Sequence, residues 1–450
     1  MKRPAHLVVV LSTLIPALAM ADPPPRFPSA SVWHQNIAAA PLHANSTSMI
    51  NALIGLGGWG NGNKFQIDFS LQTFPDAAPG TQMVPVVPHH ADDEYYDPDC
   101  EALPASMPVP AGAAFEGQSG LGCDNDAEDC HLLVRQGNLL YELYSGNYSG
   151  GVLDARCLVV WQLNAVYPPE GRGEHCTSAD AAGFPIAPLL VNADEVAANA
   201  GIAGSDLGHA IRFILPNARM ASDGSLGGVG GRLYVRPASH AGGPSGPSNT
   251  VPYGVRMRLK SNFNMSGYNA AAQVILRTMQ RYGIVLADGG NIALTFETDR
   301  YTTAKWNTLG ISAQVFLNGA NGSTPVQVSH FEVIDTGPRI GETWNCVRST
   351  VVVTDLIFAN GFEAVPLRAR QLALAVFLHF SCVRTSRAQV IQRARKPDAK
   401  WPGHFRNLRR SGSRQPPTFG IPAKADMAAY SKFPSTPIRM LHVHGSATSA

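Results

Sequence analysis

The chain has 450 residues, of which 45% are hydrophobic and 15% charged, and its formal net charge is +2. This composition excludes a collagen-like or wholly disordered chain and is sufficient for at least one large folded domain. The charge is unevenly distributed along the chain. Residues 364–450 hold 15 of the 35 Lys and Arg residues but two of the 33 acidic residues. The body is therefore acidic, and the segment after it is basic.

The first predicted element is an export signal over residues 1–21. Lys2 and Arg3 precede the apolar run Leu7–Ala19, and Ala21 ends a small-x-small cleavage site. The run is shorter than the roughly 20 residues that span a bilayer as a helix, and no later apolar segment is long enough. We therefore expect a secreted protein, extracellular or periplasmic, without a transmembrane segment.

Export to an oxidising compartment predicts disulfides. The body has six cysteines, and Cys382 stands apart in the basic segment. Six cysteines allow fifteen pairings. Proximity in the sequence favours two of the bonds, Cys123–Cys130 and Cys157–Cys176, which leaves Cys100–Cys346 as the third. In this scheme the Cys157–Cys176 bond holds the segment that follows Cys176.

Residues 22–104 are rich in Pro, Ala, Asn and Gly, and we expect this region to pack on the domain that follows. Strand patterns dominate residues 105–345, in HLLV, LLYELY, CLVVWQLN, HAIRFILP, RLYVRPA, YGVRMRLK, NIALTFE and HFEVID. Most of them alternate apolar and polar residues, as strands with one buried face do. The predicted fold is mainly β, an antiparallel β-sandwich or jelly roll.

One helix is predicted among these strands, over residues 269–282. Asn269 is a suitable N-cap and Gly283 a suitable C′ residue, and the apolar residues between them fall on one face. The helix should pack against a sheet. Asp288 ends the next strand and is followed by two glycines, so we expect a turn residue there.

The body ends in residues 346–363, where VVVTDLIFANGFE resembles the Asp-x-Ile-Phe-x-x-Gly-Phe-Glu ending of many secreted proteins of Gram-negative bacteria. In those proteins the chain stops within a residue or two of this motif. Few acids and many Arg, Pro and Ser residues predict that residues 364–450 are disordered. We interpret them as an extension by readthrough or a reading-frame error, and we expect no nucleic-acid partner.

Three acidic residues are candidates for catalysis. Both faces of LLYELY are apolar, so Glu142 should be partly buried with a raised pKa, as a general acid requires, unless it pairs with an arginine of a neighbouring strand. Asp180, among the small residues of CTSADAAGFPIAP, is either an accessible catalytic carboxylate or the cap of a tight turn. Glu195 in VNADEVAAN is the third candidate, and Asp194 beside it is a possible helix cap.

Basic and aromatic residues on the strands are candidates for substrate binding, namely His131, His209, Tyr234, Arg236, His240 and Arg256. The arginines of RLYVR share one strand face, and those of VRMRLK share another. If the two strands were neighbours, they would form a basic strip suited to an anionic glycan and to β-elimination. The alternative is the solvated outer face of an ordinary sandwich.

Metal signals are weak. The oxygen-rich stretches HHADDE, from His89, and DNDAE, from Asp124, suit calcium in principle, but solvated loops are the simpler interpretation. HExxH and CxxC patterns are absent, so zinc has no support. We expect no metal and no cofactor.

Several blocks, in this order, carry a resemblance: HLLV, LLYELY, TSADAAGFPI, DEV, HAIRF, YVRPASH, VRMRLK and QVILRTMQRYGIVLADGG. Together they resemble an uncharacterised family of secreted bacterial proteins, some of which are associated with carbohydrate-binding modules. The resemblance covers roughly residues 105–336. Family members often have Asp-Arg-His where this chain has Asp129-Cys130-His131.

The resemblance implies a link to glycans and no particular reaction, so three functions stay open. The first is hydrolysis of a polysaccharide by a carboxylate pair, Glu142 and Asp180. The second is a β-sandwich that binds a polysaccharide or cell-surface glycan without catalysis. The third is a polysaccharide lyase acting on an acidic glycan.

Overall fold

The computed structural model describes residues 23–123, 129–318 and 324–350. The export signal, the IFANGFE motif and the basic segment 364–450 lie outside these residues, so the expectations about them stay predictions. Among the described residues, no helix has the length and apolar character to cross a membrane.

Sixteen strands are formed by the described residues. In chain order they are β1 Ile67–Leu71, β2 Thr73–Phe74, β3 Met83–Pro88, β4 Ala105–Pro108, β5 His131–Gln136, β6 Leu139–Ser149, β7 Val152–Gln162, β8 Gly173–Glu174, β9 Ile211–Leu215, β10 Leu233–Tyr234, β11 Arg256–Leu259, β12 Ile284–Gly289, β13 Leu294–Glu297, β14 Phe331–Val333, β15 Ile340–Gly341 and β16 Val347–Arg348. The α-helices are α1 Ser46–Gly55, α2 Gly60–Asn63, α3 Ala193–Ala200, α4 Ala270–Arg281 and α5 Val315–Asn318.

Most strands belong to two six-stranded sheets. Sheet I has the order β1-β13-β9-β12-β11-β14, and sheet II has the order β2-β5-β6-β7-β3-β4. The predicted mainly β, sandwich-like fold is confirmed. The pairing is mixed, because β1–β13 and β9–β12 in sheet I and β2–β5 and β3–β7 in sheet II are parallel. Two parallel strands must be joined by a long crossover connection. Helix α4 lies on the connection between β9 and β12.

The predicted helix is confirmed as α4. The Asn269 side chain accepts a hydrogen bond from the amide of Ala272, and Gly283 follows the helix with a φ of 75°. Only glycine adopts this left-handed conformation without strain. Further helices form that the sequence pattern did not predict, and α3 packs against α4.

Sheet II is buried on both faces, which explains the apolar character of both faces of LLYELY. Leu140 lies in a large core shared with sheet I, whereas Tyr141 and Leu143 lie in a smaller cluster with Phe115. Strands from before residue 105 enter both sheets, since β1 belongs to sheet I, and β2 and β3 to sheet II. The region before residue 105 is therefore part of the core.

One of the three predicted disulfides is confirmed, Cys123–Cys130. The other two predictions are wrong, because the bonds are Cys100–Cys157 and Cys176–Cys346. Pairing of β8 with β16 brings the last two cysteines together. The segment around Cys100 runs beside β7, with backbone hydrogen bonds from Tyr96 to Arg156 and from Glu101 to Leu158, on either side of Cys157. The segment that follows Cys176 is therefore stapled to the end of the body and not to β7.

Candidate functional site

The turn around Asp180 is held at its backbone from two sides. His131 donates from Nε2 to the carbonyl of Ala179 at 2.9 Å, and His240 donates from Nδ1 to the carbonyl of Ala181 at 2.7 Å. A backbone hydrogen bond of 2.9 Å also ties the turn to β12. His131 and His240, predicted to bind substrate, thus both fix this turn.

Asp180 itself is fully buried, so the expectation of an accessible carboxylate is wrong. Strand β9 places Arg212 beside it, with distances of 3.3 and 3.4 Å to the two carboxylate oxygens, and Arg212 also donates to Thr295 at 2.8 Å. Burial raises the pKa of Asp180 to about 8 against the opposing charge of Arg212. The turn is capped by Ser178, whose hydroxyl accepts from the Asp180 amide at 3.0 Å. Asp180 is therefore an internal anchor.

Glu142 is buried as predicted, and burial raises its pKa. Its carboxyl group accepts hydrogen bonds from the amides of Ile186 and Ala187 and from the indole of Trp161, all at 2.9 Å. Within the described residues Glu142 makes no ion pair with an arginine, so the alternative of an arginine partner on a neighbouring strand is wrong. Since Glu142 and Asp180 are both fully buried, neither faces an open cleft.

Glu195 belongs to the capping box of α3. It accepts from the amide of Asn192 at 2.9 Å, and Asn192, not Asp194, is the N-cap. Arg26 lies 2.8 Å away and His209 3.3 Å away. Although burial acts in the other direction, these two groups lower the pKa of Glu195 to about 2. A carboxyl group held in its ionised form cannot be a general acid.

The predicted basic strip does not form. Strand β10 pairs with β15 and not with β11, so the two arginine-bearing strands are not neighbours. Arg256 is buried and donates to the carbonyls of Val32, Gln35 and Tyr282. Arg256 therefore binds the chain's own backbone, in part that of its N-terminal segment.

The remaining substrate-binding candidates also have partners inside the protein. Tyr234 and Arg236 both contact the carboxylate of Glu174. His209 is fully buried between Glu195 and the carbonyl of Ala210.

The structure brings together a set of groups that sequence reasoning did not combine. Four of them lie close together, and we call them the Tyr144 site: Asp129, Tyr144, Asp288 and the buried His131. Tyr144 and Asp288 are partly exposed and Asp129 is exposed. The ring centroids of His131 and Tyr144 are 5.3 Å apart. Asp288 accepts from the next amide, Gly289, at 2.6 Å, as a turn residue does.

The charges of this site are strongly coupled. The ring of His131 donates to Glu116 at 2.7 Å, and although burial acts in the other direction, this carboxylate raises the pKa of His131 to about 9. Burial, aided by the charge of Asp129 and opposed by Arg212, raises the pKa of Asp288. A surface on which several pKa values are perturbed in this way is typical of a functional site.

The residues of the Tyr144 site lie in segments that carry the family resemblance, namely Asp129-Cys130-His131, LLYELY and LADGG. Their convergence needed the pairing of β5 with β6 and the turn at residues 179–182 that bridges to β12. Comparison of the chain with protein-family models, curated proteins and solved structures found no match.

Proposed function

We propose that this is a secreted protein that cleaves a polysaccharide at the Tyr144 site, with Asp288 as the general acid and Asp129 as the opposing carboxylate. One observation carries the proposal. Burial raises the pKa of the Tyr144 phenol, and the charges of Asp129 and Asp288 add to this effect, so both carboxylates lie near the phenol. Glycoside hydrolysis commonly uses two carboxyl groups that flank the bond to be cleaved.

The roles follow from the different environments of the two carboxyl groups. Burial keeps Asp288 protonated to a higher pH than an ordinary carboxyl group, which suits donation of a proton to the leaving oxygen. Asp129 is exposed to solvent, where an ionised carboxylate can act as base or nucleophile. Asp180 and Arg212 lie beneath the site and position the turn. This assignment replaces the pair Glu142 and Asp180.

Two partly exposed rings, those of Tyr96 and Tyr144, offer a surface for sugar rings, and the buried His131 ring packs beside Tyr144. Tyr96, Tyr144 and His131 follow one another with centroids 6.4 and 5.3 Å apart and with interplanar angles of 31° and 36°. Sites for small organic groups combine such apolar faces with a few polar groups. Secretion is supported by the three disulfides and by the export signal that the sequence predicts.

The test compares carboxylate variants of the exported protein on a panel of neutral and acidic polysaccharides, with new reducing ends as the signal. We expect Asp288→Asn to lower the rate about 10²–10⁴-fold, as loss of a general acid does, and Asp129→Asn to lower it strongly too. Binding in an affinity gel should persist. Asp335→Asn, at an exposed turn, is the matched control and should retain the parent's rate. Parent-level cleavage by Asp288→Asn would refute the assignment.

The row of rings also favours a second candidate, glycan binding without catalysis on the same surface. In that case the parent binds a polysaccharide and releases no reducing ends, and Tyr144→Ala abolishes the binding. The lyase alternative has less support, because the arginines that were to neutralise an acidic glycan bind the protein's own chain.

A further inference from the structure

Two adjacent histidines and a distant aspartate, none of them part of the Tyr144 site, meet beside sheet II. Strand β3 ends at Pro88 and runs parallel to β7, with Val87 opposite Asp154. His89 and His90 follow the end of β3 directly, and a nitrogen of each ring and an oxygen of Asp154 all lie within 4.8 Å of one another. His90 Nδ1 is 3.3 Å from Asp154 Oδ2.

We propose that His89, His90 and Asp154 bind a divalent transition-metal ion of the zinc type. Two imidazoles and one carboxylate are a ligand set that Zn²⁺ accepts, with a solvent molecule in the fourth position. Tetrahedral coordination at about 2.0–2.2 Å places neighbouring ligand atoms roughly 3.3 Å apart. The His90–Asp154 distance already has this value. Ca²⁺ prefers oxygen ligands throughout, so two imidazoles favour the transition metal over the calcium that the acidic stretch suggested.

The surroundings hold two of the ligands in place. The amide of Asn147 donates to Asp154 Oδ1 at 3.2 Å, which leaves Oδ2 on the side of His90. Asp92 lies 3.1 Å from the His89 ring, and a carboxylate behind a histidine is the usual way in which proteins orient a metal ligand. The His89 and Asp154 side chains are buried, whereas the His90 side chain is 54% exposed.

The local charge also favours a cation. Arg156 bridges Asp92 at 2.6 Å and Glu94 at 3.2 Å, and Asp154 adds a third carboxylate. Apart from the histidines, three carboxylates and one guanidinium surround the site, so the carboxylates outnumber the basic group. A simple ion pair between protonated His90 and Asp154 is the competing interpretation, and it needs no metal.

The sequence did not predict this site. The adjacent histidines were noted, but Asp154 lies on another strand, and the set matches no local spacing such as HExxH. The parallel pairing of β3 with β7 is what brings the ligands together.

Metal binding can be measured directly on the exported full-length protein after treatment with a chelator. We expect isothermal titration to show one Zn²⁺ per chain, and Co²⁺ to give the visible absorption of a tetrahedral site. His90→Ala should weaken Zn²⁺ binding at least about tenfold, and Asp92→Asn about 10–100-fold, as loss of an orienting carboxylate does. His43→Ala removes a histidine elsewhere on the chain and should bind like the parent. Thermal unfolding without metal, measured on the parent and on His90→Ala, shows whether the variant is folded.

Three results would overturn the proposal. The first is a parent that binds no Zn²⁺ at micromolar concentration, and the second is His90→Ala that binds it as tightly as the parent. The third is a parent that binds Ca²⁺ but not Zn²⁺, which would show that the acidic residues bind the ion without the histidines. Asp154→Asn serves as a second ligand variant, and its Zn²⁺ affinity should fall as that of His90→Ala does.

Discussion

At the scale of single residues, the buried carboxyl groups differ in what compensates their burial. Glu195 has two basic partners, Asp180 has Arg212, and Glu142 has N–H donors alone. Burial of a carboxylate without partners costs free energy, so each of these groups is hydrogen-bonded or ion-paired inside the protein. Those bonds hold the chain segment that supplies the partner. This is why the strongest carboxylate candidates from the sequence became structural residues, while Asp288, expected to be a simple turn residue, lies at the proposed site.

The pair of His131 and Glu116 makes a prediction about pH. The pKa of His131 is raised from 6.5 to about 9, so its contribution to stability is full below pH 6.5 and is lost as the pH rises towards 9. The pKa of Glu116 is lowered from 4.5, so its contribution is lost as the pH falls below 4.5. Glu116→Gln should therefore cost about 3 kcal/mol near pH 6, and the difference from the parent should shrink between pH 6.5 and 9.

Urea unfolding at pH 6 and pH 9 measures this difference. Ser70→Ala is the control, because it removes the hydrogen bond of 2.8 Å from Ser70 to Glu116 and keeps the charge pair. Its cost should be the same at both pH values. A Glu116→Gln variant whose cost does not change with pH would contradict the raised pKa of His131.

At the scale of elements, the parts that could be predicted are those specified by local chemistry. Helix α4 has its cap and its terminal glycine in the sequence, and the strands have their alternation. Which strands become neighbours has no such local signal, because the sequence patterns of β10 and β11 are the same whether or not the two strands pair. The basic strip and two disulfides depended on those neighbours, and so did the metal ligands, which is why sequence reasoning missed them or assigned them wrongly.

The end of α4 provides a prediction about one glycine. A Cβ at Gly283 would lie 2.6 Å from the carbonyl oxygen of Met257 and 2.8 Å from a methyl carbon of Ile37, in addition to the strain of a positive φ. Gly204 has a similar φ of 72° but nothing within 4 Å of such a Cβ. Gly204→Ala should cost about 1–2 kcal/mol, and Gly283→Ala clearly more, in thermal unfolding. If both substitutions lowered the stability equally, β11 would have moved to make room for the new methyl group at residue 283.

At the scale of the whole molecule, the disulfides connect distant parts of the chain. Cys176 and Cys346 are 170 residues apart, whereas Cys123 and Cys130 are seven apart. In the chain-entropy model these loops contribute about 5 and about 2 kcal/mol. Replacing both cysteines of the long loop by serine should therefore destabilise the protein more than the same change in the short loop. Peptide mapping without reduction should recover the Cys176–Cys346 bond, and a Cys157–Cys176 peptide would contradict the fold around Asp180.

We propose that a polysaccharide binds at the Tyr144 site, which includes Asp129 and Asp288. The most direct test is a crystal structure of Asp288→Asn with an oligosaccharide cut from the polysaccharide that the parent cleaves or binds. We predict a sugar ring against the face of Tyr144, with its glycosidic oxygen towards residue 288 and Asp129 on the opposite side. An oligosaccharide bound elsewhere on the protein, with the Tyr144 site empty, would contradict the account.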